Sequence, residues 1–450
     1  MNILSLNSID IIILSFAYII FSIIIVIDII IDINKFHKIK IFSFFKIFYL
    51  ITYGITPLVS INVMKFDKYT INYITTEIKY YYISLLVSIL FYIIFRICLY
   101  FFAKIKEKNI KKYLIKIDSS RFYIISVIFM FIGAFSQYMW TKAYGYPFGI
   151  IKYANLIRSG YSPIVNKYTF FKPLCYFSLI SFYQFFIIFM KNKKIITSLF
   201  MTYSLFNSMI LILANDGRML LLIFFLVIAL YFINENIKII NLKFIVKIVL
   251  CAIIALVLLG NIDNFTYYIR NGIKRENSSN NGIINIIYNE FSFTHKNNIN
   301  VLYLKDNNRL VKSTEKGDIK NIILAWIPER YKEDSKTLFD INTDNYSNIS
   351  GQIPTDIISA SIYKFSYLGI IIIPIVVNFI LYFIEAILSK YNSEFIKIMY
   401  NLIGTYVALR LVDYYDLSTI IFGCFYIIIS LFLVIILCRR SEYEYIEKNM

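Results

Sequence analysis

Residues 9–31 read IDIIILSFAYIIFSIIIVIDIII, a run that is long and apolar enough to cross a lipid bilayer as one α-helix. A crossing helix needs about 20 mostly apolar residues, and similar runs fill most of the chain. They are too long for the alternating strands of a membrane β-barrel. The sequence therefore predicts an all-α polytopic membrane protein with about 11 transmembrane helices. We place these spans at 9–31, 41–63, 80–103, 121–140, 170–190, 195–213, 217–233, 243–260, 367–388, 394–413 and 417–438.

The composition agrees with this class of protein. Hydrophobic residues make up 59% of the 450 residues and charged residues 16%, whereas a soluble domain is about 45–50% apolar and roughly 25% charged. The net charge of +18 does not indicate a nucleic-acid partner, because the lysines cluster in short loops between spans. The five cysteines lie in or at the end of apolar runs and predict no disulfide framework. With two histidines and no Cys/His cluster, neither a metal nor another cofactor is expected.

One large interruption, from Gly260 to Pro354, divides the chain into three parts. Residues 1–260 hold the N-terminal transmembrane helices, 261–356 form a large loop, and 357–450 hold the C-terminal transmembrane helices. The loop carries twelve Lys or Arg and twelve Asp or Glu, so its net charge is near zero. Its apolar stretches at 283–288 and 322–328 predict short helices on the membrane surface. A partly disordered loop is the alternative, but the Ile, Phe, Tyr and Trp content favours an ordered one.

Short basic loops predict the orientation. They follow the first, third, fifth, seventh and eleventh spans, so with eleven spans they all lie on one side, which the positive-inside rule makes cytoplasmic. The N-terminus and the large loop are then external and the C-terminus is cytoplasmic. The first apolar run lacks a basic leader and a cleavage site, so we expect a retained span. The basic residues are Lys35, Lys38, Lys40, Lys104, Lys106, Lys108, Lys111, Lys112, Lys116, Lys191, Lys193, Lys194, Lys238, Lys243, Arg439 and Arg440.

Several cations fall on the predicted external side. A guanidinium binds phosphate oxygens in a bidentate way, so arginines around one cavity would suit a lipid pyrophosphate. Arg410 lies within a span, where an ionisable group usually faces a partner or a water-filled cavity. The alternative is a structural pair with Asp413, three residues along the same helical face. Arg96 is expected to extend to the headgroups of the inner face. The other external cations, each of which has a solvated or interfacial alternative, are Arg158, Lys172, Arg218, Arg270, Lys274, Arg275, Arg330 and Lys336.

Proton transfer would need a carboxylate or an imidazole. His295 is the only histidine in the predicted external part, and a solvated loop histidine is the alternative interpretation. The candidate carboxylates are Asp216, Glu290, Asp356, Asp413 and Asp416.

Three short stretches carry a resemblance to a known family. Trp326-Ile327-Pro328-Glu329-Arg330, with Lys336 behind it, resembles the Ile-Pro-Arg … Lys-Pro stretch of the Wzy-type O-antigen polymerases, a family of oligosaccharide repeat unit polymerases. Residues 353–356 and 362–369 are similar to the family's entry to the span after its large loop. Residues 215–222 are similar to its Ser-Gly-Arg motif. The order of these stretches and the single large loop also match, although Glu329 is inserted and Ser366 stands where glycine is more usual.

The resemblance implies a GT-C-like membrane glycosyltransferase in the bacterial inner membrane. It would join oligosaccharide repeat units carried on undecaprenyl pyrophosphate into O-antigen or capsular polysaccharide at the outer face, without a nucleotide sugar or a metal. A chain-length regulator is a possible protein partner. The residues expected at the reacting groups are Arg218, Arg330, Arg410, His295 and Asp216. Those expected to bind substrate are Arg158, Arg270, Lys336, Asp413 and Tyr363.

Two alternatives stay open. An O-antigen ligase, which transfers finished glycan from the lipid carrier, would have a similar shape. A polysaccharide flippase or other transporter would need paired halves and substrate groups near the midplane. The sequence has no internal repeat, and its intramembrane charges lie near the ends of spans.

Overall fold

The computed structural model describes residues 8–62, 70–71, 77–106, 113–154, 157, 164, 166–236, 283–311, 337–347, 353–389 and 393–445. Within these ranges the chain is almost entirely helical, and eight helical segments are long and apolar enough to cross a membrane. They indicate a multi-pass membrane protein and coincide with eight predicted spans. Their bounds are Ser8–Phe36, Ile41–Asn62, Ile78–Phe102, Ser119–Tyr144, Thr169–Asn192, Ile195–Ala214, Ile357–Leu388 and Glu394–Asp413.

The three remaining predicted spans have different outcomes. Those at 217–233 and 417–438 coincide with helices Gly217–Asn236 and Leu417–Cys438. The apolar parts of these two helices are shorter than a full span, at Ile223–Asn234 and Gly423–Cys438. The predicted span 243–260 lies outside the described residues. The total of about 11 therefore stays a prediction.

The helices are numbered in chain order, and short π-helices and 3₁₀-helices interrupt them. The two π-helices are Ile51–Ile55 and Ile212–Asp216, and the 3₁₀-helices are Lys142–Tyr144, Thr169–Tyr176 and Ser366–Leu368. The α-helices are α1 (Ser8–Phe36), α2 (Ile41–Leu50), α3 (Thr56–Asn62), α4 (Ile78–Lys106), α5 (Ser119–Thr141), α6 (Gly149–Lys152), α7 (Phe177–Asn192), α8 (Ile195–Leu211), α9 (Gly217–Asn236), α10 (Ile283–Asp306), α11 (Leu338–Thr343), α12 (Ile357–Phe365), α13 (Gly369–Leu388), α14 (Glu394–Asp413) and α15 (Leu417–Cys438).

Helix α14 lies at the centre of the bundle. It is the most buried of the eight candidate spans, and it packs against α2, α9 and α15. Two of its buried polar side chains bond inside the protein: Asn401 accepts a hydrogen bond from the Asn234 amide at 2.8 Å, and the Thr405 hydroxyl donates to the Asn401 carbonyl at 2.7 Å. Small residues allow close crossings elsewhere, since a Cβ on Gly133 of α5 would stand 2.5 Å from the Ser178 backbone nitrogen of α7.

Two antiparallel strand pairs join distant parts of the chain. Strand β1 (Thr70–Ile71) pairs with β3 (Tyr346–Ser347), and β2 (Tyr113–Ile117) pairs with β4 (Arg439–Tyr445). Helix α10 packs against α3, α4 and α12 at one end of the bundle. The first strand pair also lies at this end, which we name the covered end. The second pair lies at the opposite end, beside the lysine-bearing turns 36–41 and 192–195; we name it the lysine end.

Helices α9 and α10, which flank residues 237–282, contact opposite ends of the bundle. The Asn234 side chain near the end of α9 accepts a hydrogen bond from the Ile39 backbone at the lysine end, at 3.1 Å. After the stretch, Tyr303 of α10 packs edge-on against Tyr80 at the covered end, with ring centroids 5.5 Å apart.

A tight corner between α12 and α13 begins the span that follows the large segment. Ser366 has a φ of 57°, in the region that favours glycine. A Cβ on Gly369 would stand 2.1 Å from the Ser361 carbonyl oxygen, so only glycine fits there. Ser366 therefore holds a backbone conformation that glycine adopts with less strain.

We expect Ser366→Gly to raise the free energy of unfolding by about 1 kcal/mol, because glycine removes the strain of positive φ. The same change at Ser389, whose φ is −70°, is the control and should lower it or leave it unchanged. Thermal unfolding of the detergent-solubilised protein measures both. A loss of stability in Ser366→Gly equal to that in Ser389→Gly would contradict the assigned backbone strain.

Candidate functional site at the covered end

Helix α10 is buried on nearly every side from Phe291 to Leu304. A helix on a protein surface buries one stripe and exposes the other, whereas α10 is buried on both from Phe291 onward. Residues 283–288, where a short helix was predicted, form its first turns, and the other predicted stretch, 322–328, lies outside the described residues. The physical reason is enclosure: α3, α4 and α12 contact it, and Asn342, Tyr346 and Pro354 hydrogen-bond to it. Its buried polar side chains are Ser292, Thr294, His295, Asn297, Asn298 and Asn300.

Asn297 joins α10 to the rest of the large segment. Its amide donates to the Pro354 carbonyl at 2.8 Å, and its carbonyl accepts from Asn342 of α11 at 3.1 Å and from the Tyr346 hydroxyl. The Asn342 amide also reaches the Pro354 carbonyl at 3.2 Å. These hydrogen bonds join α10 to α11 and to the residues just before α12.

Tyr363 of α12, a predicted substrate contact, lies in this network. Its side chain is 1% exposed, its hydroxyl accepts from the Asn345 amide at 2.8 Å, and it donates to Asn342 at 3.2 Å. The structure thus places Tyr363 as a tether between the bundle and α11.

His295 stands at the centre of α10 between two aromatic rings. It is 3% exposed, and the ring centroids of Tyr18 and Tyr81 are 6.2 Å and 5.9 Å from its own. Burial, with a smaller contribution from Lys296, lowers its pKa to about 3. His295 is therefore not a solvated loop residue, and its imidazole is neutral at pH 7.

Several polar atoms of α10 have no hydrogen-bond partner within the described part of the chain. They are Nε2 of His295, Oδ1 of Asn298 and both amide atoms of Asn300. A buried polar atom without a partner costs about 1–3 kcal/mol, so such atoms concentrate where a protein receives water, ions or polar ligands. Helix α10 thus offers a polar interior surface at the covered end.

Two buried carboxylates face α2 and α3 across the π-helix Ile51–Ile55. The Thr52 hydroxyl donates to Asp413 at 2.6 Å, and the next residue, Tyr53, donates its hydroxyl to Asp356. The Ile358 and Ser359 amides also donate to Asp356, each at 3.1 Å, so this carboxylate caps α12. Burial raises the pKa of Asp356, although the hydrogen bonds from Ser359 and Tyr53 act in the opposite direction. The extra residue of a π-helix turns consecutive side chains to new directions, which is why these segments often occur at functional sites.

Arg410 lies in the last turn of α14, also at the covered end. Its guanidinium lies 5.2 Å from the ring centroids of both Tyr406 and Tyr414, and it donates to the Tyr406 hydroxyl at 3.0 Å. The predicted alternative, a pair with Asp413, does not form: Thr52 bonds one Asp413 oxygen, and the other has no hydrogen-bond partner among the described residues. Phe293 of α10 packs near Tyr414, with centroids 6.0 Å apart, and so links α10 to Arg410.

The other predicted site residues are only partly placed. The backbone of Asp216 ends the second π-helix, and that of Arg218 lies in the first turn of α9; nothing is described of their side chains. Arg158, Arg270, Arg330 and Lys336 lie outside the described residues. The covered end therefore holds Arg410, Asp413, His295 and Tyr363, and Asp356 interacts electrostatically with Asp413 and Tyr363. In the described ranges, no group of three or more His, Cys, Asp or Glu side chains could hold a metal ion.

A buried ion cluster in the half of the bundle nearer the lysine end was not predicted. Lys46 of α2 is fully buried and pairs with Asp28 at 2.7 Å and with Asp32. Arg96, 40% exposed, contacts Asp28 at 2.5 Å rather than only the headgroups. Tyr92 donates to Asp28 at 2.5 Å. The sequence feature that could have predicted this cluster is the pair Asp28 and Asp32, four residues apart within an apolar run. Neighbouring acids inside a span require cationic partners.

Comparison of the chain with models of protein families, with curated proteins and with solved structures finds no match.

We expect the burial of neutral His295 to make folding pH-dependent. The folded-state pKa of about 3 lies below the ordinary 6.5, so the unfolded chain binds the proton more readily and stability falls as pH drops below 6.5. Between pH 7 and pH 5 the loss from this residue is about 2 kcal/mol. Thermal unfolding at the two pH values measures it, and His295→Asn should reduce the difference.

The control is His37→Asn, because His37 is the chain's other histidine and is exposed. An equal pH dependence in wild type and His295→Asn, with any reduction confined to His37→Asn, would refute the assignment.

Proposed function

We propose that the chain is a polymerase of the Wzy type, which joins oligosaccharide repeat units carried on undecaprenyl pyrophosphate at the outer face of the bacterial inner membrane. The observation that carries the proposal is the covered end. There α10, a helix of the large interruption, is buried with its polar side chains at the same end of the bundle as two buried carboxylates and an arginine. A glycosyl transfer from a lipid carrier needs such a polar, water-poor site at one end of a membrane bundle.

The arginines supply charge stabilisation to the leaving group. The acceptor hydroxyl of one lipid-linked unit attacks the anomeric carbon of another, and the bond from that carbon to the pyrophosphate breaks. Negative charge then develops on the departing pyrophosphate, where preorganised cations have their largest effect. Arg410 stands at the covered end, held by the Tyr406 hydroxyl. Arg218 lies in the first turn of α9, whose N-terminal amides favour a phosphate. Arg330 and Arg270 complete the proposed set.

The acceptor proton goes to His295 or to one of the carboxylates. His295 is neutral at pH 7, as a base must be, but a pKa near 3 makes it a weak base. A pyrophosphate nearby would raise that pKa, because a negative charge stabilises the imidazolium. The Asp413 oxygen that has no hydrogen-bond partner among the described residues is the other proton acceptor supported by the geometry.

Transport is the second candidate, and the buried ion cluster favours it. Lys46, Asp28 and Asp32 lie inside the bundle, and intramembrane charges often mark substrate or ion pathways. An O-antigen ligase shares the site chemistry of a polymerase and differs in its acceptor. The glycan analysis below separates all three.

The proposed orientation predicts where an engineered disulfide forms. Thr70 and Ser347 are directly opposed in the β1–β3 pair, and opposed strand residues lie within disulfide reach. If the covered end is external, Thr70→Cys/Ser347→Cys should oxidise in untreated cells. The matched pair Leu114→Cys/Glu444→Cys in β2–β4 should stay reduced in the cytoplasm. Mass spectrometry of alkylated peptides measures the redox state of both cysteine pairs. The reverse pattern would show that the covered end faces the cytoplasm.

Deletion of the gene should leave single capped repeat units on the cell surface, and the wild-type gene should restore long chains. Arg410→Ala, Arg218→Ala and Arg330→Ala should each lower polymerisation by about a hundredfold or more, since one preorganised charge contributes about 2.7–4 kcal/mol to a transition state. Gel analysis of surface glycan measures the effect, with membrane abundance checked by blotting.

Arg121→Ala is the matched control, because Arg121 is an exposed arginine at the lysine end. Long polymer that accumulates on its lipid carrier in the deletion strain would identify a ligase. Absence of any repeat unit from the outer face would identify a transporter. Full activity of Arg410→Ala would exclude that residue from the site.

A further inference from the structure

A cavity of about 610 Å³ opens at the lysine end, far from the covered end. It lies between the first turn of α5, the last turns of α7, the start of α8 and the start of α14. Its walls are apolar, with Phe122, Ile187 and Phe395 among them, whereas its rim carries Ser120, Lys191 and Lys194. The volume falls in the range of ligand pockets, about 300–1,000 Å³.

The rim is positively charged. Lys191, in the last turn of α7, and Lys194, just before α8, are exposed. No described acid lies within ion-pair distance of either, and Lys191 interacts with Glu394 only at longer range. Glu394, the acidic residue among those that line the cavity, is held by Lys397 at 3.0 Å and by the Tyr231 hydroxyl. The two lysines are therefore available to an anion.

The cavity also opens onto the apolar perimeter of the bundle. Ile124 and Ile196 line it, and their side chains are 57% and 60% exposed. Exposed apolar side chains on helices of this length face lipid, so the cavity joins the hydrocarbon region at its side to a cationic rim at its end. An amphipathic ligand with an anionic head and apolar tails fits this combination.

We propose that this cavity binds an anionic phospholipid from the leaflet at the lysine end. The phosphate lies between the Lys191 and Lys194 ammonium groups and the Ser120 hydroxyl, and an acyl chain lies against Phe122, Ile187 and Phe395. Basic pockets between membrane helices recognise anionic headgroups in this way, and each lysine near a phosphate strengthens binding several-fold. The proposal does not depend on the enzymatic activity proposed above.

The test is native mass spectrometry of the full chain in detergent, titrated with phosphatidylglycerol or with phosphatidylcholine. Wild type should bind phosphatidylglycerol more tightly than phosphatidylcholine. The double variant Lys191→Gln/Lys194→Gln should weaken phosphatidylglycerol binding about tenfold or more and leave phosphatidylcholine binding unchanged. Ser120→Trp, which retains both charges but fills the cavity, should weaken binding of phosphatidylglycerol as well.

Lys193→Gln is the matched control. Lys193 belongs to the same turn, where it ends α7 with a φ of 47°, and it does not line the cavity. Its loss should change phosphatidylglycerol binding less than about twofold. An effect of Lys193→Gln equal to that of the double variant would reduce the finding to general surface charge and overturn the proposal. Equal wild-type affinity for the two lipids, or full displacement of phosphatidylglycerol by excess inorganic phosphate, would overturn it too.

Discussion

A polar group inside a membrane bundle has no water to bond, so it must find its partner within the protein. This constraint accounts for the arrangement of the interior. Asn401 at the centre of α14 bonds Asn234, and Asn378 of α13 donates to the Phe95 carbonyl of α4 at 3.1 Å. Each of these contacts joins two helices of the bundle. The polar contacts therefore determine which helix faces pack together. The apolar side chains determine only that the helices insert in the membrane.

The two groups of buried charge respond to this constraint in different ways. In the cluster around Lys46 each acid has a cationic partner, and removal of one partner from such a cluster costs about 3–5 kcal/mol. At the covered end, Asp413, His295 and Asn300 retain atoms without partners among the described residues. A fully paired cluster is suited to holding α1, α2 and α4 together. Incompletely paired groups leave hydrogen-bonding capacity for a ligand, which is why the covered end is the better candidate site.

The apolar runs were sufficient to predict the positions of eight helices long enough to cross a membrane, because crossing a bilayer requires a minimum length whatever the partner helices are. Contacts between helices were harder to predict. Arg96 was expected to extend to the headgroups, because the sequence shows only that it lies near the end of its span. Its partner Asp28 belongs to another helix, and the sequence does not show which helices are neighbours. Asp413 shares a helical face with Arg410 but bonds Thr52, which the π-helix Ile51–Ile55 brings toward it. That segment, ITYGI, contains no residue that marks a π-helix, so its effect on Thr52 and Tyr53 could not be foreseen.

Hydrogen bonds join the large segment, which contains the buried helix α10, to the bundle. Asn297 and Asn342 both bond the Pro354 carbonyl, and two residues later Asp356 accepts from Tyr53 of the bundle. Tyr363, on the helix that Asp356 caps, hydrogen-bonds to Asn342 and Asn345. A displacement of α11 would therefore move the α12 N-terminus and change the contact between Asp356 and the π-helix. These contacts join the described part of the segment to the membrane helices. It forms one hydrogen-bonded unit with them, so the positions of the two carboxylates depend on its docking.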